Sequence, residues 1–453
     1  MRNLSLAILG VVIFVLGSCQ HKSEEKTNPT GDTVKPSKKV SIPEIEAGIK
    51  SYIQNKTAEN DGYFHVTDRG KEFRMKLVRV HTEYLSNLGP ERHFACVDLV
   101  DVSGDVYDVD FFMSGKPGEM TITETTVHKL NGKPYYAWKQ KEDKTWHRVE
   151  VKEASTRLLG VIEGSDEFEF YYRIQLPEIT GNAKLWLPIA TSNAFQSVEI
   201  VSLKVPGDHQ MLKDEEFGNT ILYMELGSPQ SKGTVEITYK VRRLEKSSYE
   251  EPGPVDSKYL EANITMPVGG RFTEIANQAM LGRDAGDLMK ARALYDYIID
   301  NMRYMKYGKF GRGDSNYACD VRTGNCTEFH SFFISLARSV GIPARFAVGA
   351  SIPSERNDGG IDGYHCWAEF YAEGKWWPVD ISEANKYTAL ATYYFGHHPA
   401  NRIELSRGRD LKVNPGPASG PINFLAYPVM EMNGKTVEPK TTFSFNRPVK
   451  QAS

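Results

Sequence analysis

Long apolar runs are missing from this chain of 453 residues. The one concentrated stretch, "LAILGVVIFVL" near the N-terminus, is short of the ~20 residues that cross a bilayer as a helix. That argues against an uncleaved membrane helix there. An excess of one charge sign is missing too, since 55 Lys and Arg against 58 Asp and Glu leave a net charge of −3. No large basic patch is visible, so nucleic acid is not expected as a partner. Cysteine is scarce, with five residues, and none forms a C-x-x-C pair, which argues against a structural zinc site. What is present is ordinary for globular protein: 40% apolar and 25% charged residues. The length implies two or three domains with sizeable cores.

The N-terminus has a recognisable order. Arg2 precedes the apolar run, and small residues in "LGSC" lead to Cys19. This is the layout of a secretory signal, and with the cut before a cysteine it resembles a bacterial lipobox. The resemblance implies lipid on Cys19, and several acyl chains at about 0.8 kcal/mol per buried methylene hold a protein on a membrane. Residues 20–39, "QHKSEEKTNPTGDTVKPSKK", are polar and lack aromatics, which reads as a tether.

Beyond the tether, Ile42, Ile45, Ile49 and Ile53 recur every three or four residues and predict a one-faced helix. Alternating runs from "YFHVTD" to "MTITETTVHKL" follow, with turn residues between them, so the segment reads as a cystatin-like α+β domain. Its histidines, His65, His81, His93 and His128, are scattered and form no catalytic cluster. From about Trp146, short β-branched and aromatic runs such as "FEFYYRIQLP" and "TVEITYKVRRL" predict a β-sandwich. Helical patterns return in "DLMKARALYDYIIDNMRY" and "CTEFHSFFISLARSVGIPARF", the second stopped by Gly341 and Pro343.

Cys326 opens that second helix, where unpaired N–H groups and the helix dipole favour a thiolate. Downstream, "YHCWAEFYAEGKWWPVD" reads as a hairpin turning near Glu373–Gly374. If Ala372 faces Lys375, Trp367 faces Asp380, and His365 becomes a diagonal neighbour of that carboxylate. A carboxylate holding one imidazole nitrogen directs the other to a thiol, the logic of a Cys-His-Asp triad. His330, one helical turn after Cys326, shares its face but shows no carboxylate partner in the sequence. His397 and His398 are adjacent in sequence, so they point apart, and no metal is assigned to them.

Together, "GNCTEFHSFFISLARSVGIPARF", "GYHCWAEFY" and "KWWPVD" resemble the cysteine, histidine and aspartate blocks of the transglutaminase-like superfamily, in that order. The likeness covers roughly Asp287 to Glu383 and extends more loosely to "INFLAYPVMEMNG". It implies Cys326 as nucleophile, His365 as general base and acid, and Asp380 as the residue that orients His365. Animal relatives add an upstream tryptophan to the oxyanion site. Here no Trp lies between Trp186 and Cys326, so the Cys326 N–H is the expected donor and Tyr304 a second candidate. Of the remaining cysteines, Cys319 and Cys366 are the first candidates for a disulfide, with two buried thiols the plainer reading.

The expected fold is α+β and multidomain. Its parts are a signal peptide at 1–18, a tether at 19–40, a helix plus antiparallel sheet at 41–145, a β-sandwich at 146–245 and a papain-like transglutaminase core at 246–447. The implied chemistry is acyl transfer through a Cys326 thioester, with hydrolysis of peptide or amide bonds preferred. Amine transfer by a transglutaminase and a non-catalytic, peptide-binding surface protein are the alternatives. The partners are a protein or peptide substrate and, through the lipid, a bacterial membrane on its extracytoplasmic side; the chemistry needs no cofactor or metal. The segment "GRGDSNYACDVRTGNC" begins like an adhesive Arg-Gly-Asp peptide, but its place reads as a loop delivering Cys326 to its helix.

Overall fold

The computed structural model describes residues 40–448 apart from 69, 83, 90, 117, 141–145, 152–159, 283–285 and 307–310. The lipobox, Cys19 and the tether at 20–39 lie outside the described residues. Helix α1 (Ile42–Glu59) starts at a capping box, in which Ser41 and Glu44 satisfy each other's backbone N–H groups. Ile45, Ile49 and Ile53 are buried as the periodicity predicts, whereas Ile42, in the first turn, is exposed. They pack on an antiparallel sheet in the sequence order 64–68, 71–80, 92–101, 106–114, 121–130 and 133–134, with 86–89 beside 92–101.

The sandwich differs from the expectation at both ends. Trp146–Glu150 pairs with Tyr136–Gln140 in a separate hairpin, and the first sandwich strand is Ser165–Gln175. Its alternation buries Phe168, Phe170, Tyr172 and Ile174 against Val235, Ile237, Tyr239 and Val241. Each sheet is completed from the far end of the chain. Lys440–Asn446 pairs with Ser165–Gln175, and Asp358–Ile361 pairs with Lys440–Asn446. In the other sheet, Val429–Met432 pairs with Ala183–Ile189 and also with Lys435–Val437. The expected border at 245/246 is therefore crossed by returning strands, which local periodicity cannot reveal.

The remaining core packs helices on a four-stranded sheet, ordered Lys375–Val379, His365–Ala372, Ala344–Ser351 and Arg402–Arg407. The helices are α2 (Arg271–Ala279), α3 (Gly286–Asn301), α4 (Ser315–Val321), α5 (Cys326–Ser339) and α6 (Ile381–Lys386). Phe329, Phe332, Phe333, Leu336 and Ala337 of α5 are all buried. Gly341, at φ +80°, takes the left-handed turn that ends the helix. Helix α4 is a correction, because it occupies the middle of the segment read as a loop. Asp314 caps it by accepting the N–H groups of Asn316 and Tyr317.

The N-terminal sheet fastens onto this core through buried charge. Asp98 accepts from His81 Nε2 at 2.8 Å and lies 2.7 Å from Arg292 Nη2 on α3. Arg292 also pairs with Asp296 at 2.9 Å, as does Arg79. Lys375, in the hairpin, donates to Val102 O at 2.6 Å. Among the described residues, no helix is long and apolar enough to cross a membrane.

Candidate active site

The site is built from the first turn of α5. Asn325 caps the helix, its side chain accepting from Thr327 N at 2.8 Å. Glu328 returns the bond, accepting from Asn325 N at 3.0 Å. The same fully buried carboxylate accepts from Gly311 N and Gly313 N at 2.8 Å each, so it latches the preceding loop to the helix start. Gly324 must be glycine because a Cβ there would come within 2.4 Å of Glu328 Cβ. From the other side, buried Arg409 donates to Arg312 O at 2.9 Å, Gly313 O at 3.2 Å and Ser331 Oγ at 2.8 Å. Arg312 and Asp314 of the adhesive-looking stretch are thus structural, one through its carbonyl and the other as a helix cap.

Cys326 is therefore the first residue of a well-anchored helix, where its N–H is among the donors that no intrahelical bond can satisfy. The hairpin register pairs Ala372 with Lys375 and Ala368 with Val379, which brings Trp367 level with Asp380 as expected. His365 Nε2 lies 2.7 Å from Asp380 Oδ2. Nδ1 is the remaining nitrogen, and the Cys326 thiol lies close enough to the ring to help raise it. Asp380 is itself locked, because Oδ1 accepts from Glu383 N and Ser382 Oγ at 3.1 Å each.

Charge in this array is set by opposing effects. Burial disfavours imidazolium at His365, but the Asp380 carboxylate outweighs it and pushes the ring up to about 9. Burial likewise works against a Cys326 thiolate. Hydrogen bonds from the Cys366 thiol and from His365 nevertheless hold it well below the ordinary thiol range. Asp380 stays well below the usual carboxylate range because the charge and hydrogen bond of His365, with Arg402 beyond, offset its burial. These directions favour a buried thiolate–imidazolium pair with a carboxylate behind it.

Cys326 opens onto a cleft of about 900 Å³. It is lined by Tyr304, Asn325, Tyr364 and Tyr427, with Thr441, Thr442 and Ser444 from the sandwich strand Lys440–Asn446. Tyr304 thus shares the cleft with the thiol, whereas Trp367, Trp376 and Trp377 are all buried core. Tyr364 Oη connects Asn325 Nδ2 and Gly311 O, at 3.3 Å each, and so belongs to the cap as well as to the wall.

Other expectations resolve as follows. Cys96, Cys319, Cys326 and Cys366 are free and buried, so Cys319 and Cys366 follow the plainer reading of two buried thiols rather than a disulfide. Cys319 lies on α4 against Arg271, whereas Cys366 faces Cys326 and sits 3.7 Å from His330 Nδ1. His397 turns to Asp105 at 3.2 Å and His398 to Asp380 at 3.9 Å, so the tandem pair diverges. Among the described residues, three groups place possible metal-ligand atoms within 4.8 Å of one another: His365, Asp380 and Glu383; His81, Cys96 and Asp108; and Cys96, Asp110 and His128. The first is the triad itself, and at the second the Lys129 ammonium already sits 2.5 Å from Asp108. Sequence reading missed Glu328, although the N-x-x-E spacing from Asn325 marks a capping box. It also missed Arg409 and Cys366, whose partners are remote in sequence.

With this geometry in hand, the chain can be set beside known proteins. Residues 274–381 match the family described as the transglutaminase-like superfamily. An uncharacterised protein of Haemophilus influenzae is 25% identical over 320 residues, covering 59% of this chain and 86% of that protein. The uncharacterised protein YebA of Bacillus subtilis is 22% identical over 289 residues, covering 54% of this chain and 37% of its own length. A solved structure from Cytophaga hutchinsonii, described as a candidate cysteine protease, shares 15% identity. It aligns with a TM-score of 0.42 over 64% of this chain and 93% of that one. A candidate protease from Parabacteroides distasonis aligns with a TM-score of 0.21 at 10% identity, over 63% of each chain.

Proposed function

We propose that this chain, whose residues 274–381 form a transglutaminase-like core, is a cysteine acyl-transfer enzyme that hydrolyses peptide or amide bonds. The observation that carries this reading is the buried 2.7 Å His365–Asp380 bond beside Cys326, which itself lines an open cleft. The Cys326 thiolate attacks the carbonyl carbon and forms a C–S bond, while the displaced electron pair makes an oxyanion near the Cys326 N–H. The imidazolium of His365 gives its proton to the leaving nitrogen as the C–N bond breaks, leaving a thioester. Neutral His365 then takes a proton from water, whose oxygen attacks the thioester; the acid leaves and the thiolate returns. Amine in place of water would give transglutamination through the same thioester.

An open cleft of about 900 Å³ beside the thiol has room for a peptide segment, so proteins or peptides are the substrate class. "LAILGVVIFVLGSC" supports a lipid anchor on Cys19 and action outside the cytoplasm. The test offers glutamine-containing proteins and peptides with and without a labelled amine. Cleavage or deamidation that is lost in Cys326→Ala is expected. Cys326-dependent amine incorporation without either would replace hydrolysis by transfer, and turnover unaffected by Cys326→Ala would end the acyl-enzyme reading.

A further inference from the structure

His330 is four residues after Cys326 on α5, so its side chain reaches back over the helix's first turn. It is fully buried, and each ring nitrogen has one hydrogen-bond partner within 3.0 Å. Nδ1 lies 2.7 Å from the Cys326 carbonyl oxygen, which can only accept. Nε2 lies 3.0 Å from the Ile381 N–H, which can only donate. These partners assign the proton to Nδ1 and the lone pair to Nε2, a neutral ring in one tautomer. A second proton would set Nε2–H against the Ile381 N–H, with the two nitrogens 3.0 Å apart.

We propose that His330 is a positioning residue for the Cys326–His365–Asp380 array. Through its neutral ring, it ties the nucleophile's own carbonyl to the backbone N–H directly after the aspartate. The chain of bonds runs from Ile381 N–H to Nε2, and from Nδ1–H to Cys326 O. It therefore joins the first turn of α5 to the junction of Val379 and α6, where Asp380 sits. The third triad-bearing element is also reached, because Cys366, next to His365, has its Sγ 3.7 Å from Nδ1. The charged and titratable groups around the ring are Asp380, with Oδ1 at 3.7 Å, Cys326, His365 and Cys366. Burial, the largest influence, keeps the ring from charging and outweighs the Asp380 carboxylate. Two histidines thus flank one carboxylate with different tasks: His365 carries the proton and His330 holds the frame.

This inference rests on the proposed cysteine chemistry. Its test follows the ultraviolet absorbance of the Cys326 thiolate across pH, with thermal melting in parallel. The full chain is used as wild type, His330→Leu and His330→Gln. Leucine removes both bonds, and it is expected to move thiolate formation toward the ordinary thiol range and slow acylation about 10- to 100-fold. Glutamine can still donate to the Cys326 carbonyl and accept from Ile381, so it is expected to restore the wild-type profile. A His330→Leu protein that melts lower yet keeps the wild-type pH profile and rate overturns the proposal. If His330→Leu does not fold, wild-type chain labelled with ¹⁵N-histidine decides. An Nδ1-protonated neutral His330 throughout the range of thiolate formation supports the proposal; an imidazolium or an Nε2–H tautomer overturns it. A wild type without a Cys326 thiolate signal would count against the acyl-transfer reading itself, which keeps the two failures apart.

Discussion

His365 and Cys326 are shifted in opposite directions, and the signs set the pH behaviour. The ring is raised to about 9, so its contribution to folding is complete below its ordinary value of ~6.5. That contribution is lost as pH rises through about 9. The thiol is lowered, so its contribution is complete above its ordinary value of ~8.5 and is lost as pH falls through the depressed one. Acylation needs the imidazolium to protonate the leaving nitrogen, and its rate should fall as pH rises through about 9. In Asp380→Asn that fall should come at lower pH, and the rate should drop by about 10²- to 10⁴-fold. Stopped-flow pH–rate profiles of the two proteins measure both effects; an unchanged upper limb in the variant would show that Asp380 does not set the His365 charge. These three residues were legible because each sits in a distinctive block of sequence. His330 stood out by spacing, yet its partners, a carbonyl and an N–H of the main chain, leave no mark on the sequence.

At the scale of the element, α5 is held by one carboxylate doing several jobs. Glu328 accepts from Asn325 N and Gly313 N in a buried setting and from Gly311 N in a half-buried one. Glu328→Ala would strand those donors, and leaving a buried polar group unpaired costs about 1–3 kcal/mol. Urea unfolding is expected to show a loss of at least that size, with slower alkylation of Cys326 because its loop is unlatched. An unchanged midpoint would mean that the loop is held by Arg409 alone. The hairpin register, the buried face of α5 and its glycine stop could all be read from periodicity and turn chemistry. Helix α4 could not, because seven residues are too few for a helical period to show, and its cap, Asp314, lay inside a stretch with another familiar meaning.

At the scale of the molecule, the returning strands decide what can fold alone. Lys440–Asn446 takes its ladder from Ser165–Gln175, and Val429–Met432 takes its own from Ala183–Ile189. A fragment beginning at residue 246, the border expected from sequence, should therefore fail to give a cooperative unfolding transition, whereas a chain beginning at residue 40 should give one. Circular dichroism with thermal melting distinguishes them, and a cooperatively folding 246 fragment would contradict the shared-sheet account. Strand type was readable because alternation is local. Strand partnership between the middle and the far end of the chain was not, since any alternating strand satisfies the same pattern. The same returning strand lines the cleft through Thr441, Thr442 and Ser444, so the sandwich serves both the fold and the site.

The central claim is that Cys326 is a thiolate activated by His365, and its alkylation tests this most directly. Full-length protein is treated with iodoacetamide at about pH 6, where an ordinary thiol is almost wholly protonated, and each cysteine is followed by peptide mass mapping. Cys326 should label well ahead of Cys96 and Cys319, and its lead should vanish in His365→Ala. Labelling of Cys326 no faster than Cys96, or at an equal rate without His365, would contradict the account.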